Sequence, residues 1–183
     1  MVGQLFLIVG NSGSGKDTIL SMIKKYWPKN KPKIIIPRRY ITRKKHPSEN
    51  FHAISRQRFQ RMKSQGKFSL TWESYGNYYG VSSKLNKWLE KGYWVLVNVS
   101  RSIIPSCKEQ YSGCKVIYIH VPFKILENRI QKRGREKQNE QAYFERLKRA
   151  QENYILEKAD ITIDNSDNIE KAVEQVINFL YQY

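Results

Sequence analysis

The chain has 183 residues, enough for one domain with a substantial core, and its 33 Lys plus Arg against 16 Asp plus Glu leave a net charge of +17. No segment approaches the roughly 18 continuous apolar residues of a membrane span, and the opening apolar run is too short and lacks the basic lead-in of a signal peptide, so a soluble cytoplasmic protein is expected. Cys107 and Cys114 match no metal-ligand spacing and are expected to be reduced and structural, while the charge surplus calls for a polyanionic partner: nucleic acid, an acidic membrane surface or a phosphate-dense small substrate.

In chain order, Leu5-Phe6-Leu7-Ile8-Val9 reads as a buried strand and Ile19-Leu20-Ser21-Met22-Ile23 as one face of a helix. Between them lies Gly10-Asn11-Ser12-Gly13-Ser14-Gly15-Lys16-Asp17-Thr18, with the G-x-x-x-x-G-K spacing of a phosphate-binding loop. Glycines let successive backbone N–H groups turn inward, and the helix that starts there adds its positive dipole end. Lys16 supplies a full charge where β- and γ-phosphates would lie. Asp17 stands where Ser or Thr usually follows the lysine. An anion beside a triphosphate is repulsive unless a divalent ion lies between them, so Asp17 is read as a Mg²⁺ ligand, direct or through water, with Thr18 the less direct candidate.

Pro28 and Pro32 break the structure before a short strand at Lys33-Ile34-Ile35-Ile36-Pro37. From Lys24 to Lys45 there are ten basic residues and no acidic one, and the part before Ile34 has no assigned role. Arg38-Arg39-Tyr40-Ile41-Thr42-Arg43 follows that strand. Alternation puts Arg39, Ile41 and Arg43 on one face, where two arginines could grip a phosphate with forked hydrogen bonds. Residues 38–91 break the α/β rhythm. The runs Tyr40-Ile41-Thr42, Phe51-His52-Ala53-Ile54, Phe68-Ser69-Leu70-Thr71-Trp72 and Asn77-Tyr78-Tyr79-Gly80-Val81 predict small antiparallel strands, and Ser55 caps a helix containing Phe59 and Met62. This reads as an inserted lobe.

The alternating pattern returns at Tyr93-Trp94-Val95-Leu96-Val97 and Lys115-Val116-Ile117-Tyr118-Ile119-His120-Val121. Pro122 opens a helix burying Phe123, Leu126 and Ile130; the next lines up Phe144, Leu147, Ala150 and Tyr154. Arg133-Gly134-Arg135 between them, with Arg146 and Arg149 beyond, suits a lid that delivers positive charge on closure and excludes water. A last strand, Ile161-Thr162-Ile163, precedes a helix started by Asp167 three residues before Glu170 and burying Ile169, Val173, Val176, Ile177 and Leu180. The expected fold is α/β: a doubly wound parallel sheet with a P-loop at its first turn, an inserted acceptor-binding lobe and a helical lid. It would be one domain over 1–183, with core 1–37 and 92–183, lobe about 38–91 and lid about 129–142.

Together these residues resemble the guanylate-kinase-like family of P-loop kinases over almost the whole chain. Tyr40-Ile41-Thr42-Arg43 and Asn50-Phe51-His52-Ala53-Ile54-Ser55 stand where that family carries its acceptor motifs, Gly76-Asn77-Tyr78-Tyr79-Gly80 matches its lobe turn, and Arg133-Gly134-Arg135 its lid. The resemblance implies ATP and Mg²⁺ as cofactors, Asp164 and Asn165 beside the adenine, and Lys16, Arg133 and Arg135 as catalytic. It also exposes a departure. Where guanylate kinases hold the base with a glutamate and a Ser or Thr, this chain has Leu70 and Val81, which cannot make those bonds. Arg39-Tyr40-Ile41-Thr42-Arg43, Ser48-Glu49-Asn50, Val97-Asn98-Val99-Ser100-Arg101 and the Gly-Lys-Asp loop look like the ribose 1,5-bisphosphate phosphokinase branch. That branch implies transfer to the 1-phosphate of the sugar, making 5-phosphoribosyl 1-diphosphate in phosphonate use. Arg39, Arg43, Arg101 and Arg146 would then bind substrate, with Glu49 and Tyr79 contacting ribose hydroxyls. The alternatives are a nucleoside-monophosphate kinase and a non-catalytic module binding polyanions. The leading reading expects a phosphorylated sugar as partner, neither nucleic acid nor membrane, and a monomer or homodimer.

Overall fold

A computed structural model describes residues 3–46, 49–133, 140–151 and 159–183. The elements begin with β1 (Leu5–Val9), α1 (Lys16–Tyr26), β2 (Ile34–Ile35), β3 (Tyr40–Ile41), β4 (His52–Ala53) and α2 (Arg56–Ser64). Next come β5 (Phe68–Ser74), β6 (Asn77–Ser82), α3 (Lys84–Glu90), β7 (Trp94–Asn98), a 3-10 turn at Arg101–Ile103 and α4 (Ile104–Gln110). The chain closes with β8 (Lys115–His120), α5 (Phe123–Arg133), α6 (Glu140–Gln151), β9 (Ile161–Asp164) and α7 (Ile169–Leu180). It is an α/β protein with a parallel central sheet, as the alternation of apolar runs and helical patterns predicts. No helix among the described residues is long and apolar enough to cross a membrane. Two compact units are present, Met1–Leu5 with Lys29–Cys114 and Phe6–Pro28 with Lys115–Tyr183.

In the second unit β8 pairs in parallel with β1, from Phe6↔Lys115 to Val9↔Tyr118, and with β9, from Ile117↔Ile161 to His120↔Asp164. Both faces of β1 and β8 are covered, which is why these strands are continuous runs of Leu, Ile, Val and Phe rather than alternating ones. α1 buries Ile19, Leu20 and Ile23, and α7 buries Ala172, Val173, Val176, Phe179 and Leu180, each large side chain contributing about 1.5–3 kcal/mol. The cap of α7 is one residue later than expected. Asn168, not Asp167, accepts from the Lys171 N–H at 2.9 Å, because helical dihedrals begin only at Ile169. α5 opens after Pro122, whose carbonyl accepts from the Leu126 N–H, and Val121, Leu126 and Ala150 form a small cluster with Phe123 and Ile125. Phe144 was expected on that face and is instead 64 % exposed. The apolar face of α6 is centred on Ala150, and six residues back along a helix is 120° away from it. Tyr154 and the side chain of Arg149 lie outside the described residues.

In the first unit β2 and β7 pair in parallel, Ile34↔Trp94 and Ile35↔Val95, so the second strand is shorter than the apolar run suggests. A separate four-stranded sheet has the order β4-β3-β6-β5. β3–β6 and β5–β6 are antiparallel as expected, but β4 pairs with β3 in parallel, the sequence between Ile41 and His52 being longer than a tight hairpin loop. β5 and β6 are joined through Tyr75 (φ 50°) and Gly76 (φ 64°), two successive left-handed residues as in a type I′ hairpin turn. One sheet face stacks aromatics: Phe59 on Phe68 at 4.8 Å, Phe59 on Tyr78 at 5.5 Å and Tyr40 on His52 at 4.7 Å. Ser55 caps α2 through a bond from the Arg58 N–H, as expected. The other face holds Ile41, Leu70, Trp72 and Val81, all buried. The short helices α3 and α4 had no counterpart in the sequence reading. Each spans seven residues, too few for a helical period to stand out beside the neighbouring strands.

Two outcomes follow from this packing. A Cβ on Gly80 would lie 2.8 Å from the Phe68 ring and 3.1 Å from Phe59, so Gly80→Ala should lower unfolding free energy by about 1–3 kcal/mol in chemical denaturation. Neither cysteine is in a disulfide, as expected, and both are buried; burial, with Cys114 adding to it, pushes the Cys107 thiol up to about 12. A pKa raised on folding gives stability that is complete below the unfolded-state value near 9 and is lost above it, by about 1.4 kcal/mol per pH unit. Wild type should therefore lose this much more stability than Cys107→Ala between pH 9 and 11, and parallel curves would refute it.

Candidate functional site

Residues 10–18 adopt the phosphate-loop conformation. Gly15 (φ 89°) precedes α1 in the left-handed region that a side chain rarely adopts, and a Cβ on Gly10 (φ 150°) would lie 2.5 Å from the Ile119 carbonyl oxygen. Ser14 is fully buried, its N–H donating to the Asn11 carbonyl at 3.2 Å. The Lys16 ammonium lies over the loop, donating to the carbonyls of Gly10 (2.8 Å) and Asn11 (2.7 Å) and to Ser14 Oγ (3.2 Å). Leu126 and Ile130 of α5 close off the Gly13 side. Ser12 is half-buried and Asp17 and Thr18 are exposed on the first turn of α1. No group of three or more His, Cys, Asp or Glu side chains could hold a metal ion among the described residues. A Mg²⁺ ion at such a loop takes most of its ligands from phosphate and water, and the exposed oxygens of Asp17 and Thr18 fit the minor share left to protein.

The loop after β9 supplies the second part of this half. Asp164 Oδ1 accepts from the Ser166 N–H at 2.9 Å and from its hydroxyl, and Arg129 Nη2 donates to the Ser166 carbonyl at 3.3 Å. Asn165 was expected beside a base. It is 2 % exposed, and its Nδ2 donates to the Ser14 carbonyl at 2.8 Å, beneath the phosphate loop. Arg133 ends α5, but its side chain, with Gly134 and Arg135, lies outside the described residues; Arg146 is half-buried on α6.

The first unit brings together three of the residues expected to bind substrate. Arg43 donates to both oxygens of Glu49, Nη1 to Oε2 and Nη2 to Oε1, each at 2.6 Å. The His46 N–H donates to Oε2 at 3.1 Å, and the guanidinium lies 4.7 Å above the Phe51 ring. Burial disfavours the Arg43 charge, but the Glu49 hydrogen bond and charge, with Tyr79 adding to them, outweigh it and hold its pKa above the usual value. The expected fork onto phosphate is therefore turned onto a carboxylate. Arg43 fixes Glu49, whose side chain is 8 % exposed. Tyr79 is set by pairing with Ile41 and Trp72, and stacks on Trp72 at 5.3 Å and 8°.

Arg39 is half-buried, its carbonyl accepting from the His52 N–H at 2.8 Å, and Arg101 begins the 3-10 turn after β7, also half-buried. Leu70 and Val81 pair across β5 and β6 and are both buried, an apolar wall with nothing to offer a base edge. Two supporting residues escaped the sequence reading. Thr42 Oγ1 accepts from the Tyr78 N–H at 2.9 Å, tying β3 to the hairpin, and Phe51 carries the Arg43 guanidinium. The β3–β6 register brings Thr42 to Tyr78, while Arg43 and Phe51 meet outside the paired strands.

A glycine loop opening a helix after a buried parallel strand, with its lysine across the mouth, defines a P-loop kinase. The family model described as guanylate kinase matches residues 2–183, and the chain belongs to that family. It is 32 % identical over 179 residues to the ribose 1,5-bisphosphate phosphokinase PhnN of Thiobacillus denitrificans, covering 97 % of this chain and 93 % of that protein. The proteins of the same name from Enterobacter lignolyticus and Desulfomicrobium baculatum are 34 % and 36 % identical, covering 98 % and 90 % of this chain and 93 % and 87 % of theirs. Among solved structures, guanylate kinase from Anaplasma phagocytophilum superposes with a TM-score of 0.68 at 20 % identity, covering 99 % of this chain and 86 % of its own, a likeness of fold.

The Arg43–Glu49 pair is open to direct measurement. With side-chain exposures of 27 % and 8 %, it should show a coupling of about 1–3 kcal/mol in a double-mutant cycle of Arg43→Met and Glu49→Gln on unfolding free energy. A coupling below about 0.5 kcal/mol would show an ordinary solvated pair.

Proposed function

We propose that the protein transfers the γ-phosphoryl group of ATP to the 1-phosphate of ribose 1,5-bisphosphate, giving ADP and 5-phosphoribosyl 1-diphosphate. The P–O bond to ADP breaks as the 1-phosphate oxygen forms the new P–O–P link. The observation that carries this reading is the make-up of the acceptor half: an Arg-clamped carboxylate and a tyrosine for hydroxyls, with buried Leu70 and Val81 where a guanine would need polar partners. A base set against that wall would leave its donors unpaired, which disfavours a nucleotide acceptor. The names of the full-length relatives support the same substrate.

A phosphate monoester near neutral pH is mostly dianionic, its second pKa being about 6, so the acceptor oxygen needs no general base. His52 is stacked on Tyr40, and its pKa is lowered by burial and by Arg38 and Lys45. What the reaction needs is cancellation of repulsion between two anions. In this reading Lys16 and the loop N–H groups take the β- and γ-phosphates, Arg39 and Arg101 the sugar phosphates, and Glu49 and Tyr79 the ribose hydroxyls. Arg43 acts through Glu49. Arg133, Arg135 and Arg146 bring charge to the transferring group, with residues 38–91 as acceptor lobe and about 129–142 as lid of a single catalytic domain. Mg²⁺, bound beside Asp17 and Thr18, would supply further charge neutralisation. A reaction fed by ATP and a sugar bisphosphate belongs in the cytoplasm.

Phosphorus NMR with Mg·ATP tests the assignment: ribose 1,5-bisphosphate should give a new diphosphate signal and GMP none. Turnover of GMP in place of the sugar would overturn it. Lys16→Ala should cut turnover at least about a hundredfold with an unchanged circular dichroism spectrum, and near-normal activity would remove the loop from the mechanism.

A further inference from the structure

Asn165 sits where a strand end, a helix start and the phosphate loop meet, and each of its polar links can be followed. Its backbone N–H donates to the His120 carbonyl at 2.9 Å, continuing the β8–β9 ladder one step past His120↔Asp164. Its side-chain Nδ2 donates to the Ser14 carbonyl at 2.8 Å. A Cβ on Gly15 would lie only 2.4 Å from that nitrogen, so the glycine that allows φ 89° also makes room for the amide. Asn165 Oδ1 is buried and has no hydrogen-bond partner among the described residues. Turning the amide over would set that oxygen against the Ser14 carbonyl, so the donor orientation is the one that holds.

The peptide between Ser14 and Gly15 is planar and trans, so its C=O and N–H point in opposite directions. A donor that fixes the Ser14 carbonyl toward the buried Asn165 therefore fixes the Gly15 N–H the other way. We propose that Asn165 is a positioning residue for the phosphate loop: it orients the Ser14–Gly15 peptide so that the Gly15 N–H is presented to the nucleotide's phosphate chain. The same contact keeps the Ser14 carbonyl, which would repel phosphate, out of the cradle. It acts through the loop and does not read the base. The proposal rests on the loop's binding of a nucleoside triphosphate but not on the identity of the acceptor.

The distinction sets the experiment. Mg·ATP and Mg·tripolyphosphate, the second having no base, are titrated calorimetrically into wild type, Asn165→Ala and Asn165→Asp. Both variants should bind both ligands more weakly, by tenfold or more and by the same factor for each. A loss for ATP alone would make Asn165 a base contact and overturn the proposal; unchanged affinities, or wild-type affinity in the shape-preserving Asn165→Asp, would overturn it as well. Wild type that binds neither ligand would instead defeat the kinase reading beneath it. Should the variants fail to fold, ¹⁵N-labelled wild type gives the answer. The Asn165 side-chain amide resonance should shift on adding tripolyphosphate, and a resonance that moves with ATP but not with tripolyphosphate would refute the role.

Discussion

A loop that binds anions through its backbone must stop its own N–H and C=O groups from satisfying each other. In this protein that is achieved by glycine dihedrals and by partners supplied from elsewhere in the same unit. Gly10 and Gly15 take conformations closed to most residues, and carbonyls that would oppose an anion are occupied: Gly10 and Asn11 by Lys16 Nζ, Ser14 by Asn165. The buried strands β1, β8 and β9 matter to function chiefly because they hold those partners still. A rigid cradle spends little ordering energy when the ligand arrives.

The acceptor side solves a different problem. On the proposed reading the acceptor is a sugar carrying two phosphates, which needs cations, yet arginines alone would grip any phosphate without reading the sugar. Pairing Arg43 with Glu49 sets a held carboxylate within a strongly basic chain, which on the proposed reading would favour hydroxyls and repel misplaced phosphate. The remaining surplus of charge is spread over exposed side chains, Lys24, Lys25, Lys29, Lys31 and Lys33 among them. It raises the local concentration of anionic substrates over the surface without a specific contact.

Much of this was legible in the residue order. The glycine loop, the buried parallel strands and the aromatic strands of residues 38–91 all lie in short segments whose chemistry is local, and the resemblance to guanylate kinases singled out Leu70 and Val81. What was not legible depends on partners distant in sequence. The parallel pairing of β4 depends on where β3 lies, and the exposure of Phe144 on the packing of Val121, Leu126 and Ala150. Asp167 and Asn168 are both good caps, and only the dihedral at which the helix begins decides between them.

By itself the sequence determined that a glycine loop of P-loop spacing, a stretch of short aromatic strands and a surplus of cations belong to one α/β chain, because periodicity and glycine spacing constrain the backbone wherever they occur. Tertiary structure alone decided which partner each polar side chain meets. Arg43, expected to fork onto phosphate, is forked onto Glu49 in the fold, and Asn165, expected beside a base, donates its amide to the Ser14 carbonyl. The physical reason is the same in both cases. A hydrogen bond has a direction, and direction is set by where the fold brings the second atom.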